Sequence, residues 1–362
     1  MKESAFSKYV NELRSDDIAI IQDAANTLCA LKDIKNLPSI LKNIDDDNPI
    51  VRRVMLWTLR NYINNLDFDN LIKYLMDEDM GVRDAALVLL MDGGKPAIDK
   101  MLTYALSEDR AIQYAVVQAL GQFRTPDAVG PLVQASQSED DEIREIAVMS
   151  LGIYADPVIR QILLKSLNDK PDICLAALSG LKDRILLTDD YKLIEKCLKN
   201  DRDDIRAAAV YVLNSSCPLN ISNDVSSYVR RAFASVTNSK SHLEKLCIDP
   251  EPSVRTAAAD RIEKLKLKSE DILIKMLEDD VPGVRRAAAS ALKYSERKDV
   301  ISALIKCLSD KKPGIRAAAA ASLANIGGDD AISALKSAKS AGNPILAGII
   351  KNAIETAQNN SG

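Results

Sequence analysis

The chain has 362 residues, of which 47% are hydrophobic, 4% aromatic and 28% charged, and its formal net charge is −4. With so few aromatic residues, the core must consist mainly of Ala, Leu, Ile and Val, which suit closely approaching helices. The near balance of charge excludes a general attraction to nucleic acid or to an anionic membrane surface.

Cysteine and histidine are too sparse for the common metal and redox motifs. The cysteines are at least 20 residues apart, so no CxxC pair exists, and His242 is the single histidine. We therefore expect reduced thiols, no metal and no cofactor. The first ten residues lack the apolar run of a signal peptide, and no long apolar stretch follows, which favours a cytoplasmic chain with no membrane partner. The cysteines are Cys29, Cys174, Cys197, Cys217, Cys247 and Cys307.

One short pattern recurs along the chain. An acidic residue and a turn precede a branched residue, which is often followed by Arg, then by two small residues and a Leu. Successive copies are 24 to 32 residues apart, which indicates a repeat protein. The branched residue, numbered position zero, is Ile21, Val51, Val82, Ile112, Ile143, Ile173, Ile205, Val229, Val254, Val284, Ile315 and Ile345.

Within each copy, the apolar positions fit one face of a helix. Positions zero, three and eight, as in Val284, Ala287 and Leu292, share a face at 3.6 residues per turn. In most copies an acid stands four residues before position zero, and proline often follows it, as in Asp280 and Pro282. The pattern predicts a helix B that begins after an acidic turn.

A second apolar-periodic stretch lies upstream of each acidic turn, as at residues 193–198 and 272–277. It predicts a helix A, so that each copy is a helical hairpin. One hairpin cannot bury its apolar faces alone, whereas stacked hairpins can. The sequence therefore predicts an all-α fold, an α-α superhelix (solenoid) of about twelve hairpins.

The repeat is irregular near residues 214–250. The copies that begin at Val229 and Val254 follow their predecessors after only 24 and 25 residues, and residues 214–227 are rich in Asn and Ser. This composition favours a loop in place of a full helix A, and a change in the curvature of the array. Because the repeat resumes on both sides, we expect one domain over residues 1–362.

The copies at residues 249–262 and 280–292 carry the pattern in its fullest form, with an acid, Pro, Val-Arg, Ala-Ala and a late Leu or Ile. This pattern resembles the short HEAT-like repeat of bilin-lyase (E–Z type, PBS-lyase) proteins, and the resemblance covers nearly the whole chain. It implies a helical solenoid. It leaves the activity open, because the same repeat serves adaptors, lyase subunits, a metal hydroxylase and DNA-repair relatives.

Arginine follows position zero in eight repeats. In HEAT-like proteins such a row resembles a ladder in which arginine and aspartate link successive turns, and the resemblance implies the same role here. The alternative is that the row binds phosphate groups. The predicted ladder arginines are Arg52, Arg83, Arg144, Arg206, Arg230, Arg255, Arg285 and Arg316.

The outward side of helix B is the predicted binding surface. Its positions two, six and nine point away from the core, and in HEAT-like solenoids that side lines the concave surface. Trp57, the only tryptophan, shares one helix face with Arg53 and Arg60, as at interaction hot spots. The alternative is that Trp57 packs against these arginines. The predicted binding residues are Arg53, Trp57, Arg60, Tyr114, Gln118, Tyr211, Arg231, Arg286 and Lys293.

These features favour a non-enzymatic protein-binding scaffold or adaptor. Its expected partner is another protein or peptide, acidic or phosphorylated, rather than nucleic acid. The alternatives are a bilin-lyase-like enzyme subunit and a DNA-alkylbase glycosylase-like protein. The net charge and the scarcity of aromatic residues disfavour the glycosylase. A single histidine excludes the iron site of the HEAT-like deoxyhypusine hydroxylases, which the fold also resembles.

Overall fold

The computed structural model describes residues 3–339 together with Gly348, Ile350, Lys351 and Ile354. These residues form α-helices and short 3-10 helices and no β-strand, so the predicted all-α fold is confirmed. Contacts divide the chain into two compact units, Met1–Arg184 and Ile185–Gly362, called the N-terminal and the C-terminal unit below. The organisation of residues 1–362 as one domain stays a prediction.

The N-terminal unit consists of six helical hairpins, each with a helix A that packs against the helix B that follows it. Helices are numbered in chain order. The A elements are α1 (Glu3–Glu12), α3 (Leu37–Lys42), the 3-10 helix Phe68–Met76, α6 (Gly94–Tyr104), α8 (Val129–Ala135) and α10 (Pro157–Ser166). The B helices are α2 (Ile18–Cys29), α4 (Pro49–Leu59), α5 (Met80–Asp92), α7 (Arg110–Phe123), α9 (Asp141–Leu151) and α11 (Pro171–Leu181).

The C-terminal unit repeats this arrangement, and its B helices pack side by side in chain order. Its A elements are α12 (Thr188–Cys197), the 3-10 helix Leu219–Asn223, α15 (Lys240–Leu246), α17 (Glu270–Met276), α19 (Lys298–Cys307) and α21 (Gly328–Lys339). Its B helices are α13 (Asp203–Leu213), α14 (Ser227–Val236), α16 (Pro252–Leu265), α18 (Pro282–Ala291) and α20 (Pro313–Ile326). Short 3-10 helices also lie at Ile34–Asn36, Arg60–Asn65, Pro126–Ala128, Asn214–Ser216 and Leu292–Tyr294.

The B helices begin at the acidic turns because these turns satisfy the free N–H groups of the first helical turn. The Asp109 carboxylate accepts hydrogen bonds from the backbone N–H groups of Ala111 and Ile112, and Asp140 caps α9 in the same way. Proline lies in the first turn of α4, α11, α16, α18 and α20, where its missing N–H costs nothing.

The position-zero residues face the core, as the repeat pattern predicts. Nine of them are buried, while Ile21 and Ile112 are half-buried. The twelfth, Ile345, lies outside the described residues. The buried nine are Val51, Val82, Ile143, Ile173, Ile205, Val229, Val254, Val284 and Ile315. The small residues near them let the helices approach closely, because an added Cβ at Gly180 in α11 would lie 2.9 Å from the Cα of Gly152.

The irregular region lacks a regular α-helix A. The 3-10 helices Asn214–Ser216 and Leu219–Asn223 connect α13 to α14, and Asn214 has a positive φ of 49°. Asn tolerates this left-handed backbone better than most residues. The expectation that a full helix A does not fit here agrees with these short elements, and the expected change in curvature stays a prediction.

A second series of contacts, which the sequence pattern did not predict, links the C-terminal ends of neighbouring B helices. Arg184 donates hydrogen bonds to the carbonyl oxygens of Gly152 and Tyr154, at 2.8 and 2.6 Å. Arg261 binds the carbonyls of Val236 and Thr237 in the same manner. These side chains satisfy helix C-terminal carbonyl groups that have no partner within the helix.

Candidate protein-binding face

The predicted arginine row forms repeated two-pronged contacts with aspartates of the next repeat. In four arginines of the C-terminal unit, the Nε and Nη2 atoms lie 2.7 to 3.3 Å from the two carboxylate oxygens of one aspartate. This fork geometry is the strongest form of ion pair available to arginine. The pairs are Arg206–Asp224, Arg230–Asp249, Arg255–Asp279 and Arg285–Asp310.

The remaining nitrogen of each ladder arginine binds the turn of its own repeat. In Arg255, Nη1 donates to the carbonyl oxygens of Asp249 and Pro250 at 2.8 and 3.1 Å. The Asp249 carboxylate at the same time accepts hydrogen bonds from Arg230 and from the backbone N–H of Glu251. Each aspartate therefore connects two consecutive arginines, one through its side chain and one through its main chain.

In five of the six pairs the acid stands five residues before position zero, whereas Asp169, the partner of Arg144, stands four residues before Ile173. Asp77 rather than Glu78 binds Arg52 bidentately, and Asp279 rather than Asp280 binds Arg255. Asp224 binds Arg206 and belongs to a repeat in which the sequence pattern showed no acid. In these three repeats the carboxylate also accepts the N–H two residues later and so closes the turn, whereas Asp169 accepts the N–H of Lys170, the next residue.

The ladder determines the charge state of its aspartates. Burial alone would raise the pKa of Asp249, but its hydrogen bonds from Arg230 and from the Glu251 amide hold that pKa below the usual 3.8. The pKa of Asp279 is lowered by the corresponding contacts with Arg255 and Val281, which outweigh its burial. These carboxylates are therefore ionised at neutral pH and are occupied by contacts within the chain.

The ladder is incomplete in the N-terminal unit. Arg52 pairs with Asp77, and Arg144 pairs with Asp169. Arg83 binds only the backbone carbonyl oxygens of Asp77 and Glu78 through Nη1, and has no carboxylate partner among the residues described. Arg316 likewise binds two carbonyls of its own turn, and Ser340, which stands five residues before Ile345 in the next repeat, lies outside the described residues.

Trp57 lies on a shallow hollow at the outward side of α4. Its ring is half-buried, and the guanidinium carbon of Arg60 lies 4.9 Å from the ring centroid. Arg60 also forms an ion pair with Asp92 of α5, so its charge is compensated within the chain. The hollow has a volume of about 460 Å³ and is lined by Trp57, Arg60, Asp92, Asn61 and Cys29. Sequence reasoning missed Asp92, which stands at position ten of its repeat.

Arg53, the predicted binding arginine beside Trp57, forms no ion pair in the described part of the chain, although the Asp79 carboxylate lies near it at Gly81. It is exposed to solvent. Its side chain lies against Gly81 at the start of α5, where an added Cβ would come within 3.0 Å of Nη1. A residue as small as glycine thus leaves room for Arg53 to lie flat across the two helices.

The other predicted binding residues fall into two groups. In the N-terminal unit, Tyr114 is half-buried, and Gln118 is exposed beside a cavity between α5 and α7. In the C-terminal unit, Tyr211 is half-buried and Arg286 is exposed. Two positively charged side chains of this unit already have partners. The guanidinium carbon of Arg231 lies 5.3 Å from the centroid of the Tyr228 ring, and Nζ of Lys293 lies 2.6 Å from Oε1 of Glu263.

His242 belongs to a structural contact. Its Nδ1 lies 3.0 Å from the hydroxyl oxygen of Ser239, and its ring stands edge-on to Phe233. The helix α15 begins at Lys240, and Ser239 is its N-cap residue. Across the residues that the structure describes, no cluster of three or more His, Cys, Asp and Glu side chains could hold a metal ion.

The six cysteines, all within the described residues, form no disulfide, and every one except the half-buried Cys29 is buried. Burial raises the pKa of the Cys247 thiol to about 12, so it stays protonated. In the described part of the chain, the helices are too short or too polar for any of them to span a bilayer.

Two segments of the chain, residues 98–182 and 270–350, match the family model of HEAT repeats. A stretch of 95 residues is 34% identical to the phycocyanobilin lyase subunit alpha of Synechococcus elongatus. It covers 26% of this chain and 33% of that protein, so the similarity spans a third of the relative.

Solved structures of similar fold cover almost the whole chain. Importin beta, crystallised in an ammonium sulfate condition, has a TM-score of 0.68 at 13% identity over 98% of this chain and 61% of its own. The Kap95:Nup1 complex gives a TM-score of 0.59 at 12% identity, over 98% of this chain and 60% of that one. This chain thus spans about three fifths of these neighbours, and identities this low show the fold alone. The repeat pattern and the stacked helical hairpins agree with these matches: residues 98–182 and 270–350 are similar to HEAT repeats, and the chain has the fold of a HEAT-repeat solenoid.

Proposed function

We propose that the chain is a non-enzymatic scaffold that binds another protein on the outward side of its B helices, around Trp57. The observation that carries this proposal is the half-buried tryptophan in an open hollow, with Arg53, which forms no ion pair among the described residues, on the same helix face. A tryptophan offers a large contact area at a small entropic cost, and Trp and Arg are enriched among the residues that dominate binding energy. HEAT-repeat folds commonly serve as protein-binding scaffolds, and the neighbour Kap95 was solved in complex with Nup1.

The chemistry of the hollow favours a partner with acidic side chains. Arg60 is neutralised by Asp92, so Arg53 supplies the charge that a partner meets next to the indole ring. A carboxylate that approaches Arg53 can form a two-pronged contact without displacing an existing ion pair. The predicted residues Tyr114 and Gln118 extend this face along α7 within the same compact unit.

Site-specific photocrosslinking in the native cell tests the proposal. A photoreactive phenylalanine analogue replaces Met80, an exposed residue next to Gly81 and thus beside Arg53, in one variant and Lys42, an exposed residue of the A helix of the Trp57 repeat, in the control. We expect one protein to crosslink at position 80 and not at position 42, and to be lost when Trp57→Ala is added. Equal crosslinking at both positions, or retention of the protein in the Trp57→Ala background, rejects this face.

The ladder and the thiols complete the proposal. Most ladder arginines are occupied within the chain, so they are proposed to hold repeats together rather than to bind phosphate. Cysteines that form no disulfide suit a reducing compartment, and we propose a cytoplasmic location for the scaffold on this ground.

A second candidate function is a subunit of a bilin lyase, which the 34% identity over 95 residues supports. Adding phycocyanobilin to the purified chain tests it, because binding in a protein changes the absorption spectrum of a bilin. A saturable spectral change that Trp57→Ala leaves intact favours the lyase-like function over the scaffold. An unchanged spectrum rejects it.

A further inference from the structure

Two ladder arginines, Arg83 and Arg316, bind no carboxylate among the described residues, and only for Arg83 does the structure describe the turn that supplies the partner elsewhere. Arg83 donates from Nη1 to the carbonyl oxygens of Asp77 and Glu78, at 2.7 and 3.1 Å, which is the same anchoring that Arg52 and Arg144 show. Its Nε and Nη2 face no acid in the part of the chain that the structure describes. In the paired ladder arginines, these two nitrogens bind the aspartate. The guanidinium group of Arg83 is thus held in place through Nη1, and its Nε and Nη2 donors can bind a carboxylate.

The cause is a serine in the place of the ladder aspartate. Ser107 stands five residues before position zero, and its hydroxyl accepts the backbone N–H of Asp109 at 3.1 Å. The Asp77 carboxylate accepts the N–H of Asp79 at 3.0 Å in the equivalent turn. Serine therefore closes the turn as aspartate does, but it has no second oxygen to offer to the arginine of the preceding repeat.

A cavity opens at this break. In the N-terminal unit α4 packs against α5, and α7 packs against α9. Between α5 and α7 lies a cavity of about 160 Å³, lined among others by Arg83, Asp84, Gln118 and Gln122. A water molecule occupies about 30 Å³ in the liquid, so this space can admit the end of a side chain.

We propose that Arg83 is a receptor for one carboxylate of an aspartate or glutamate side chain on the bound protein, which completes the ladder from outside. The proposal deepens the scaffold function and rests on it for the identity of the donor. The amides of Gln118 and Gln122 line the same cavity and can donate to the oxygens of the carboxylate. The partner thus takes the place that aspartate fills in the other repeats.

The surrounding charges favour a single carboxylate over a phosphate group. Asp84 lines the cavity, and the exposed acids Glu78, Glu108 and Asp109 flank the two turns. A phosphate group carries about −1.5 to −2 charge at neutral pH, so it meets more repulsion from these acids than a carboxylate does. The fork of one guanidinium is matched by the two oxygens of one carboxylate.

The N–H resonance of the Arg83 Nε reports binding directly by NMR. The probe is N-acetyl-glutamate amide, a capped glutamate, and the matched controls are the capped glutamine and inorganic phosphate. We expect the capped glutamate to shift the Arg83 resonance in a saturable way, while the capped glutamine does not. Phosphate that shifts this resonance at lower concentration than the capped glutamate overturns the assignment to a carboxylate.

Two serine variants make the test specific. Ser107→Asp supplies the missing carboxylate from within the chain, so we expect probe binding to weaken by at least about tenfold and the Tm to rise by about 2 °C. Ser138→Asp adds the same charge at the equivalent turn of the next repeat, where Gln113 replaces the arginine, and should change neither quantity. Equal effects of the two variants, or no response of Arg83 to the probe, overturn the proposal.

The two hypotheses fail in distinguishable ways. If Ser107→Asp blocks the probe while no protein crosslinks at position 80, the carboxylate site stands and the scaffold function fails. If a partner crosslinks equally well to wild type and to Ser107→Asp, the scaffold function stands and this receptor fails.

Discussion

The guanidinium group of Arg255 holds the Asp279 carboxylate through two hydrogen bonds of 2.8 and 2.9 Å, and the same arginine anchors to the carbonyl of Asp249 in its own turn. One side chain thus links the B-helix turns of two repeats. In an array where each repeat contacts chiefly its neighbours, such a link stabilises the interface on which the next repeat depends.

Replacing Arg255 with alanine should therefore lower the free energy of unfolding by about 1–3 kcal/mol, because Asp279 keeps its partly buried charge without a partner. Chemical denaturation measures the loss. Arg286→Ala, which removes an exposed arginine from the same region, is the control and should stay within about 0.5 kcal/mol of wild type. An equal effect of both substitutions would contradict the structural role of the ladder.

The ladder also predicts how stability depends on pH. The pKa values of Asp249 and Asp279 are lower in the folded chain than their usual value, so folding favours the ionised forms. Their contribution is complete above about pH 5 and is lost as the pH falls through the folded pKa values. Urea unfolding at a series of pH values should show this decline. In Asp279→Asn, stability should be lower at neutral pH, and its difference from wild type should shrink in acid.

The contact between α9 and α11 predicts a costly small substitution. An alanine Cβ at Gly180 would lie 2.9 Å from the Gly152 Cα and 3.0 Å from a methyl group of Leu163. We expect Gly180→Ala to lower the free energy of unfolding by about 1–3 kcal/mol, although alanine favours helices. Gly130→Ala in α8, where an added Cβ meets no atom within 4 Å, should be neutral or stabilising. Thermal melts measure the stability of both variants, and an unchanged Tm in Gly180→Ala would refute the close packing.

Arg184 provides a fourth test. It donates to the carbonyl oxygens of Gly152, Tyr154 and Gly180, and burial lowers its pKa relative to an exposed arginine. Methionine at this position keeps the length of the side chain and removes its donors, so Arg184→Met should cost about 1.5–3 kcal/mol in unfolding experiments. Arg124→Met, at the exposed C-terminal end of α7, is the matched control. Comparable losses in the two variants would show that the carbonyl contacts of Arg184 contribute little.

The amino-acid sequence by itself determined the repeat and the fold. A branched residue at position zero and small residues after it, as in Val284, Ala287 and Ala288, recur at helical spacing. This periodicity can only be satisfied by helices that bury one face, and a single hairpin cannot bury it alone. The arginine row was also evident, because Arg255 and Arg285 occupy the same position in successive repeats.

Only the tertiary structure decided which acids those arginines bind and which arginine has none. Asp279 and Asp280 are adjacent acids that the sequence does not distinguish. In the structure, it is the Asp279 carboxylate that accepts the N–H of Val281 and binds Arg255 of the preceding repeat. The neutralisation of Arg60 by Asp92 depends on the packing of α4 against α5. This pair joins two side chains that are 32 residues apart along the chain. Local periodicity determines which face of a helix a residue occupies, but not which residue it contacts across the interface.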